Sequence, residues 1–291
     1  VPYWIDAREG MEAAAKWLDV EVRFGGPLGI SVPEQTANMD TFVAQRVDGI
    51  ILCPADPHGL DPAINRAVEA GIPVVTFGGD APNSKRLTYV DTAQHEAGKI
   101  GGQFLVDNVI SEMTGGKIKV GFSIGFAGAS DQELRLGGYK DVIKEDSNIE
   151  VVSVVEDKFD YSLGLEAVKS MLVAHPDIDV IVGTNATSGT VIVGALREAG
   201  YKKGEVKVIA FDRNIDVLNL VKEGWITATL VQNTYLQGFM SLLTLYLYNH
   251  GYLNSEKIDW AKADLDPTPE YIDTGVMIVT RGEVDALLPS D

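Results

Sequence analysis

The chain has a single cysteine, Cys53, among 291 residues, so it closes no internal disulfide, and its cysteine usage does not fix a redox compartment. It has no apolar run approaching the ~18 residues that a membrane-spanning helix needs. The most apolar helical stretch, Leu242–Tyr248, is far too short. It has no cationic surplus. Lys and Arg number 24 against 42 Asp and Glu, a formal net charge of -18 that repels phosphate backbones and anionic membranes and predicts no nucleic-acid partner. Histidine is scarce: His58, His95, His175 and His250 stand in no H-E-x-x-H or paired metal spacing, so neither a metal nor another cofactor is expected. There is no G-x-S-x-G elbow and no G-x-G-x-x-G after a strand. Gly115-Gly116-Lys117 lacks the earlier Gly and the following Ser or Thr of a P-loop and reads as a turn. The joint absence of these motifs argues against an enzyme. No signal peptide opens the sequence, which begins at Val1-Pro2 as if inside a loop and reads as processed, trimmed or incomplete.

What is present is an α/β alternation. Hydrophobic residues make up 45% and charged residues 23%, ordinary for a globular chain, and the length allows one large or two medium domains. Short β-branched runs predict strands at residues 21–24, 49–53, 73–77 and 88–90 in the first half. In the second half they predict strands at 119–124, 150–154, 180–183, 206–211 and 227–231. Helical periodicity fills the intervals, at 4–18, 33–46, 61–70 and 93–110, then 131–144, 162–174, 189–199, 215–222 and 234–250. The segment Glu69-Ala70-Gly71 is echoed by Glu198-Ala199-Gly200, each closing a helix before a strand. The natural reading is two similar parallel-sheet halves joined near Asp91–Ala93. A helix at 4–18 with no strand ahead of it leads to the expectation that a central strand belongs before Val1.

Polar and aromatic residues collect at the carboxyl ends of these strands, where open α/β sheets bind ligands. Asn185 and Thr187, Asp212 and Arg213, and Gln232 and Asn233 each follow a strand. Phe159, Asp160 and Tyr161 precede a helix, and Tyr3 with Trp4, and Asp131 to Arg135, open two others. A sugar needs this mixture: its C–H faces stack on aromatic rings, and its hydroxyls need carboxylates, carboxamides and guanidinium groups in planar geometry. Each residue alone has a structural reading beside it. Asp131 and Ser162 serve equally as helix caps, and Tyr3 and Trp4 as core.

Six segments in order resemble the type I solute-binding proteins of bacterial sugar ABC transporters, the ribose- and galactose-binding relatives. In the first half they are PYWIDAREGMEAAAKWLDVEV, VDGIILCPADPHGLDPAINRAVEAGIPVVTF and DAPNSKRLTYVDTAQHEAGKIGG. In the second half they are HPDIDVIVGTNATSGTVIVGALREAG, VIAFD and ITATLVQNTYLQGF. The resemblance implies two Rossmann-like lobes with parallel sheets joined by a three-segment hinge. One lobe would comprise residues 1–92 with 233–271, the other 93–232 with 272–291. It implies a ligand buried between the lobes, with Tyr3, Trp4 and Phe159 stacking on a sugar ring and Arg135, Asn185, Asp212 and Gln232 contacting hydroxyls. Asp80, Asp131 and the hinge-adjacent Thr92 complete the expected ligand-binding set. The sequence departs from the family at Gly78-Gly79, where an Asp usually follows PVVTF and here only Asp80 comes after. It departs again at Cys53, where Asn is common, and at Ala186. The first-lobe wall is therefore expected to be less polar and roomier than in a ribose binder. That leaves a deoxy sugar, a larger sugar, another polyol, or a non-sugar such as a modified base open beside a pentose.

The resemblance implies binding by hinge closure, with the closed form read by an ABC permease in the membrane. It implies a monomer that is periplasmic or extracellular, lipid-anchored or soluble. A ligand-sensing ectodomain of a chemoreceptor or sensor kinase would carry the same ligand chemistry. A transcription repressor shares the core but needs a basic helix-turn-helix headpiece, which the sequence lacks.

Overall fold

The computed structural model describes residues 2–26, 31–113, 116–128, 130–146, 148–254, 258, 260, 262 and 266–288, without the side chains of Pro2 and Tyr3. Its contacts gather the chain into two compact units. The first is Val1–Thr92 with Asn233–Thr274; the second is Ala93–Gln232 with Gly275–Asp291. The chain therefore passes between units after Thr92, Gln232 and Thr274.

The first unit begins with α1 (Pro2–Leu18), α2 (Val32–Gln45), β1 (Ile50–Leu52), α3 (Asp61–Glu69), β2 (Val74–Phe77) and β3 (Thr88–Asp91). The second unit follows with α4 (Gln94–Phe104), β4 (Ile118–Ile124), α5 (Ser130–Ile143), β5 (Ile149–Glu156), α6 (Tyr161–Ala174) and β6 (Val180–Gly183). It continues with α7 (Ser188–Glu198), β7 (Lys207–Phe211), α8 (Ile215–Glu223) and β8 (Ala228–Gln232). The chain returns to the first unit for α9 (Thr234–Asn249) and β9 (Tyr271–Asp273), and ends in the second with β10 (Val276–Thr280).

Local chemistry sets these bounds. Ser31 caps α2 through its hydroxyl and Pro33 opens the first turn; Asp160 caps α6 and Asn233 caps α9, each accepting the backbone N–H three residues on. Asp160, not Ser162, is thus the cap of α6. Gly224 closes α8 in the left-handed conformation. The segment after α4, expected as one helix to residue 110, widens into a π turn at Leu105–Val109 and tightens to a 3-10 turn at Ile110–Glu112.

Among the described residues the first unit has a four-stranded parallel sheet in the order β1-β2-β3-β9. The second has a six-stranded sheet in the order β10-β8-β7-β6-β4-β5, parallel except for β10. Residues 21–24, expected as a strand, run as irregular chain. β1 pairs only with β2, and an extended segment becomes a strand only against a neighbour. Strands β2 and β6 are buried along their whole length, as parallel strands covered on both faces must be. In the first unit one face packs Met39, Leu60, Ile64 and Val74, and the other packs Met11, Val75, Phe77 and Leu245. In the second unit Phe122, Val182, Ile209 and Leu230 form one core cluster and Ile181, Val208, Ile192 and Leu196 another. Each such side chain contributes about 1.5–3 kcal/mol by leaving water.

Each unit also holds a helix pair whose backbones touch. A Cβ on Gly10 of α1 would strike the Tyr235 carbonyl, and one on Gly238 of α9 would strike that of Ala7. In the second unit, a Cβ on Gly98 of α4 would strike the Arg135 carbonyl and one on Gly138 of α5 that of His95. Only glycine permits this approach, and in the second unit it brings the start of α4 against the middle of α5.

Candidate functional site

In the second sheet β4 lies between β5 and β6, so connections leave it in opposite directions and a crevice opens at the carboxyl ends of β4 and β6. Gln132, from the first turn of α5, fills it. Its Oε1 accepts from Thr184 Oγ1 at 2.7 Å and from the Gly125 N–H at 3.3 Å, and its Nε2 donates to Asp131 Oδ2 at 2.8 Å.

One turn on, Arg135 is only 5% exposed. Its Nε donates to Gln94 Oε1 at 2.7 Å and its Nη1 to the Thr184 carbonyl at 2.8 Å. Its guanidinium lies 3.9 Å from the centre of the Phe211 ring. Asp131 Oδ2 is 3.7 Å from Nη1, close enough to balance the charge.

Gln94 extends this line, donating to Gln232 Oε1 at 3.4 Å, while Gln232 Nε2 donates to Asp212 Oδ1 at 3.1 Å. Asp212 sits at the end of β7 with φ +68, a left-handed value uncommon outside glycine. Its backbone holds that conformation by donating to the Leu230 carbonyl at 2.7 Å and accepting from Thr229 Oγ1 at 2.6 Å. Burial pushes the Asp212 carboxyl above the usual carboxylate range; Arg135 and the Gln232 hydrogen bond pull it back, and Asp131 adds to the rise.

At the other side of the same edge, Asn185 Oδ1 accepts the N–H groups of Thr187 and Ser188 at 2.8 and 3.1 Å, while its Nδ2 faces Asp157. Phe159 is 45% exposed, with its ring over Gly125 and edge-on to Phe126 at 5.6 Å.

The second unit thus brings Asp131, Arg135, Phe159, Asn185, Asp212 and Gln232 to one edge. The sequence reading missed Gln94, Gln132, Thr184 and Asp157. Gln94 and Gln132 carry the signal already used for Asp131, a polar residue in the first turn of a helix that follows a strand or crossing. Asp157 and Thr184 directly follow β5 and β6 and were legible on the same rule.

In the first unit, Trp4 in the first turn of α1 is 48% exposed and meets Phe77 edge-on at 6.0 Å. Tyr3 shares that turn, but its side chain lies outside the described residues. Asp80 is committed to its own loop. Its Oδ1 accepts from Thr76 Oγ1 and the Ala81 N–H, both at 2.8 Å, and from Arg86 Nε, while Oδ2 accepts from Arg86 Nη2 at 2.7 Å. Gly78 ahead of it has φ +62, which suits glycine. Thr92 is buried, its hydroxyl 3.4 Å from Gln237 Nε2, and the same Nε2 donates to Asp91 Oδ1 at 2.8 Å. Cys53 lines the interior, and burial first, then the Asp91 charge, push its thiol up to about 12.

The described residues hold no group of three or more His, Cys, Asp or Glu arranged for a metal ion. None of their helices is long and apolar enough to cross a membrane.

Comparison with known proteins places this architecture. The profile of the periplasmic binding protein domain family matches residues 1–251, and the chain belongs to that family. It is 28% identical over 237 residues to the ribose import binding protein RbsB of Bacillus subtilis, spanning 81% of this chain and 74% of that one. Two solved structures are similar over 99% of this chain. The sugar-binding protein of a sugar ABC transporter from Bacillus halodurans shares 29% identity at a TM-score of 0.88 over 96% of its length. The arabinose-binding protein AraP from Geobacillus stearothermophilus shares 31% at 0.87 over 95%.

Proposed function

We propose that this protein binds a monosaccharide and presents it to the permease of an ABC transporter, without turning it over. The observation that carries the reading is the line Asp212–Gln232–Gln94–Arg135, a partly buried run of carboxylate, carboxamides and guanidinium beside the exposed Phe159 ring. Arg135 has five N–H groups and spends two on Gln94 and Thr184. Asp212 accepts one side-chain bond and keeps acceptor capacity. Planar donors and acceptors of this kind suit vicinal hydroxyls, and an aromatic face suits the C–H side of a pyranose or furanose. RbsB and AraP, which carry ribose and arabinose in their names, support a pentose as the first substrate class to test.

In this reading Arg135, Asn185, Asp212 and Gln232 contact hydroxyls, with Asp131 beside them. Phe159 stacks, and Trp4 with Tyr3 supply the aromatic contribution of the first unit. Asp80 and Thr92 serve the fold, since their side chains are spent on Arg86, Thr76 and Gln237. The two compact units are the two lobes of the binding protein, monomeric and acting periplasmically or extracellularly.

The test is a thermal-shift and calorimetric panel of D-ribose, D-xylose, L-arabinose, D-allose, D-galactose and D-glucose, with nucleosides as controls. A sugar present at 100 times its Kd stabilises the protein by about 2.7 kcal/mol. No shift with any sugar, together with a shift from another ligand class, overturns the proposal.

A further inference from the structure

We propose that Asp157 is a positioning residue for ligand binding, fixing both the Asn185 carboxamide and the Phe159 ring from beneath; this rests on the sugar-binding reading above. Asp157 follows β5 and is completely buried. A buried carboxylate is costly unless it is paired or fully hydrogen-bonded. No ion pair reaches it among the described residues. Neutral donors surround it instead. Oδ2 accepts from Ser188 Oγ at 2.6 Å, Ser123 Oγ at 3.0 Å and Asn185 Nδ2 at 2.9 Å. Oδ1 accepts from the Phe159 N–H at 3.0 Å and from Asn185 Nδ2 at 3.1 Å. An apolar residue would fill the site without this cost, so the charge calls for a reason.

The reason lies in what an acceptor-only group imposes on its neighbours. A carboxylate offers no proton, so Asn185 must turn its Nδ2 toward Asp157, which leaves Oδ1 for the N–H groups of Thr187 and Ser188. The amide cannot flip without losing every one of these bonds. With Oδ1 holding two N–H groups, what Asn185 offers a ligand is an N–H donor. The sugar atom it meets must therefore accept.

The same carboxylate holds the loop that carries Phe159. Lys158 and Phe159 are consecutive non-glycine residues in the left-handed region, at φ +57 and +54. Backbone bonds from Asp157 N–H to the Ile124 carbonyl at 2.7 Å and from Lys158 N–H to the Gly125 carbonyl at 2.8 Å anchor the loop, and the Asp157 side chain closes it on the Phe159 N–H. The ring then rests on Gly125, where any Cβ would collide with it.

The test uses whichever of D-ribose, D-xylose, L-arabinose and D-galactose binds the wild type most tightly, with Kd read by calorimetry. The variants are Asp157→Asn, Asn185→Ala, Phe159→Ala and the double Asp157→Asn/Asn185→Ala. Asp157→Asn keeps the shape but turns an NH2 toward the surrounding donors, so a rise in Kd of about tenfold or more is expected. The double variant should lose less than the sum of the two singles, because the part of the Asp157→Asn effect that acts through the carboxamide is already gone in Asn185→Ala. Losses that add, or an unchanged Kd in Asp157→Asn while Asn185→Ala or Phe159→Ala weakens binding, overturn the positioning role and leave the sugar site standing. An unchanged Kd in Asn185→Ala and Phe159→Ala overturns the sugar site itself. Should Asp157→Asn not fold, hydrogen exchange on the wild type decides. Slow exchange at the Phe159 amide and the Asn185 carboxamide supports the proposal, and exchange at the rate of an unstructured chain overturns it.

Discussion

Replacing Asp212 by Asn separates what this residue does for the fold from what it does for a ligand. Asn is the informative choice because it tolerates the left-handed backbone at φ +68 and keeps an oxygen for Gln232 Nε2, whereas Ala would add a left-handed penalty of about 1–2 kcal/mol. The change therefore removes the charge and little else. Burial raises the Asp212 carboxyl, so between the ordinary carboxylate value and its raised folded value the native state holds a proton that the unfolded chain has released. Stability from this group is then lost as pH rises through that window, with a slope of at most about 1.4 kcal/mol per pH unit. Other carboxylates slope the other way. Asp56 and Glu283, for example, are held low by hydrogen bonds, so the difference between wild type and variant is the quantity to read. Above the window the ligand-free Asp212→Asn protein should melt higher than wild type, by about 2–4 °C per kcal/mol for a chain of this size class. The same variant should bind sugar more weakly by about 1–3 kcal/mol, a roughly 5- to 150-fold rise in Kd, because a charged acceptor becomes a neutral one. Differential scanning fluorimetry from pH 4 to 8 without ligand, and calorimetry at pH 7 with it, read both effects. A variant that melts lower than wild type throughout pH 4 to 8 while binding equally well would refute the reasoning on both counts.

Cys53 is only partly buried, but its thiol is pushed up to about 12, so at pH 8 it should react with a disulfide reagent far more slowly in the native protein than in urea; equal rates would contradict the raised thiol. Tyr139 is fully buried with no partner for its hydroxyl among the described residues, so Tyr139→Phe should hold or raise stability by about 1 kcal/mol in urea unfolding; a clear loss would reveal a hydrogen bond to the hydroxyl. Gly238→Ala drives a methyl into the Ala7 carbonyl and should cost about 3 kcal/mol or more, whereas Gly116→Ala, with open space around it, should change little; equal melting temperatures for the two variants would refute the helix contact.

The alternation of strand and helix was legible because parallel strands buried on both faces leave unbroken β-branched runs, as in Val180–Gly183 and Val74–Phe77. Strands β9 and β10 escaped that reading. Tyr271–Asp273 is three residues long, and Val276–Thr280 lies at the sheet edge with Met277 exposed, so neither carries the buried pattern. The polar residues after strands were legible as a set, but the direction of each side chain was not. Asp80 and Asp212 both follow a strand and look equivalent in sequence. Arg86, six residues on from Asp80, claims its carboxylate, while among the described residues no cation donates directly to that of Asp212. Such partners come from the loop beyond, where no periodicity guides the reading.

The touching helix pairs explain why the polar set is lopsided. Gly10 and Ala7 of α1 stand to Gly238 and Tyr235 of α9 as Gly138 and Arg135 of α5 stand to Gly98 and His95 of α4, with the same carbonyls struck and a spacing of three residues in every case. The helix starts agree as well, Pro2 with Ser130 and Thr234 with Gln94. The correspondence sets Tyr3 against Asp131, Trp4 against Gln132, Ala7 against Arg135 and Thr234 against Gln94. One structural frame, used twice, thus carries two aromatic residues and an alanine in the first unit where the second carries a carboxylate, a carboxamide and a guanidinium. A monosaccharide is itself divided in this way, with C–H faces that favour rings and an equator of hydroxyls that favours charged and amide groups. The smallness of Ala7 then has a consequence that can be measured. An arginine at that position would extend its guanidinium along the first unit's edge as Arg135 does in the second, and Ala7→Arg should weaken binding of a neutral pentose while sparing the fold less than Ala7→Ser, because residue 7 is 1% exposed.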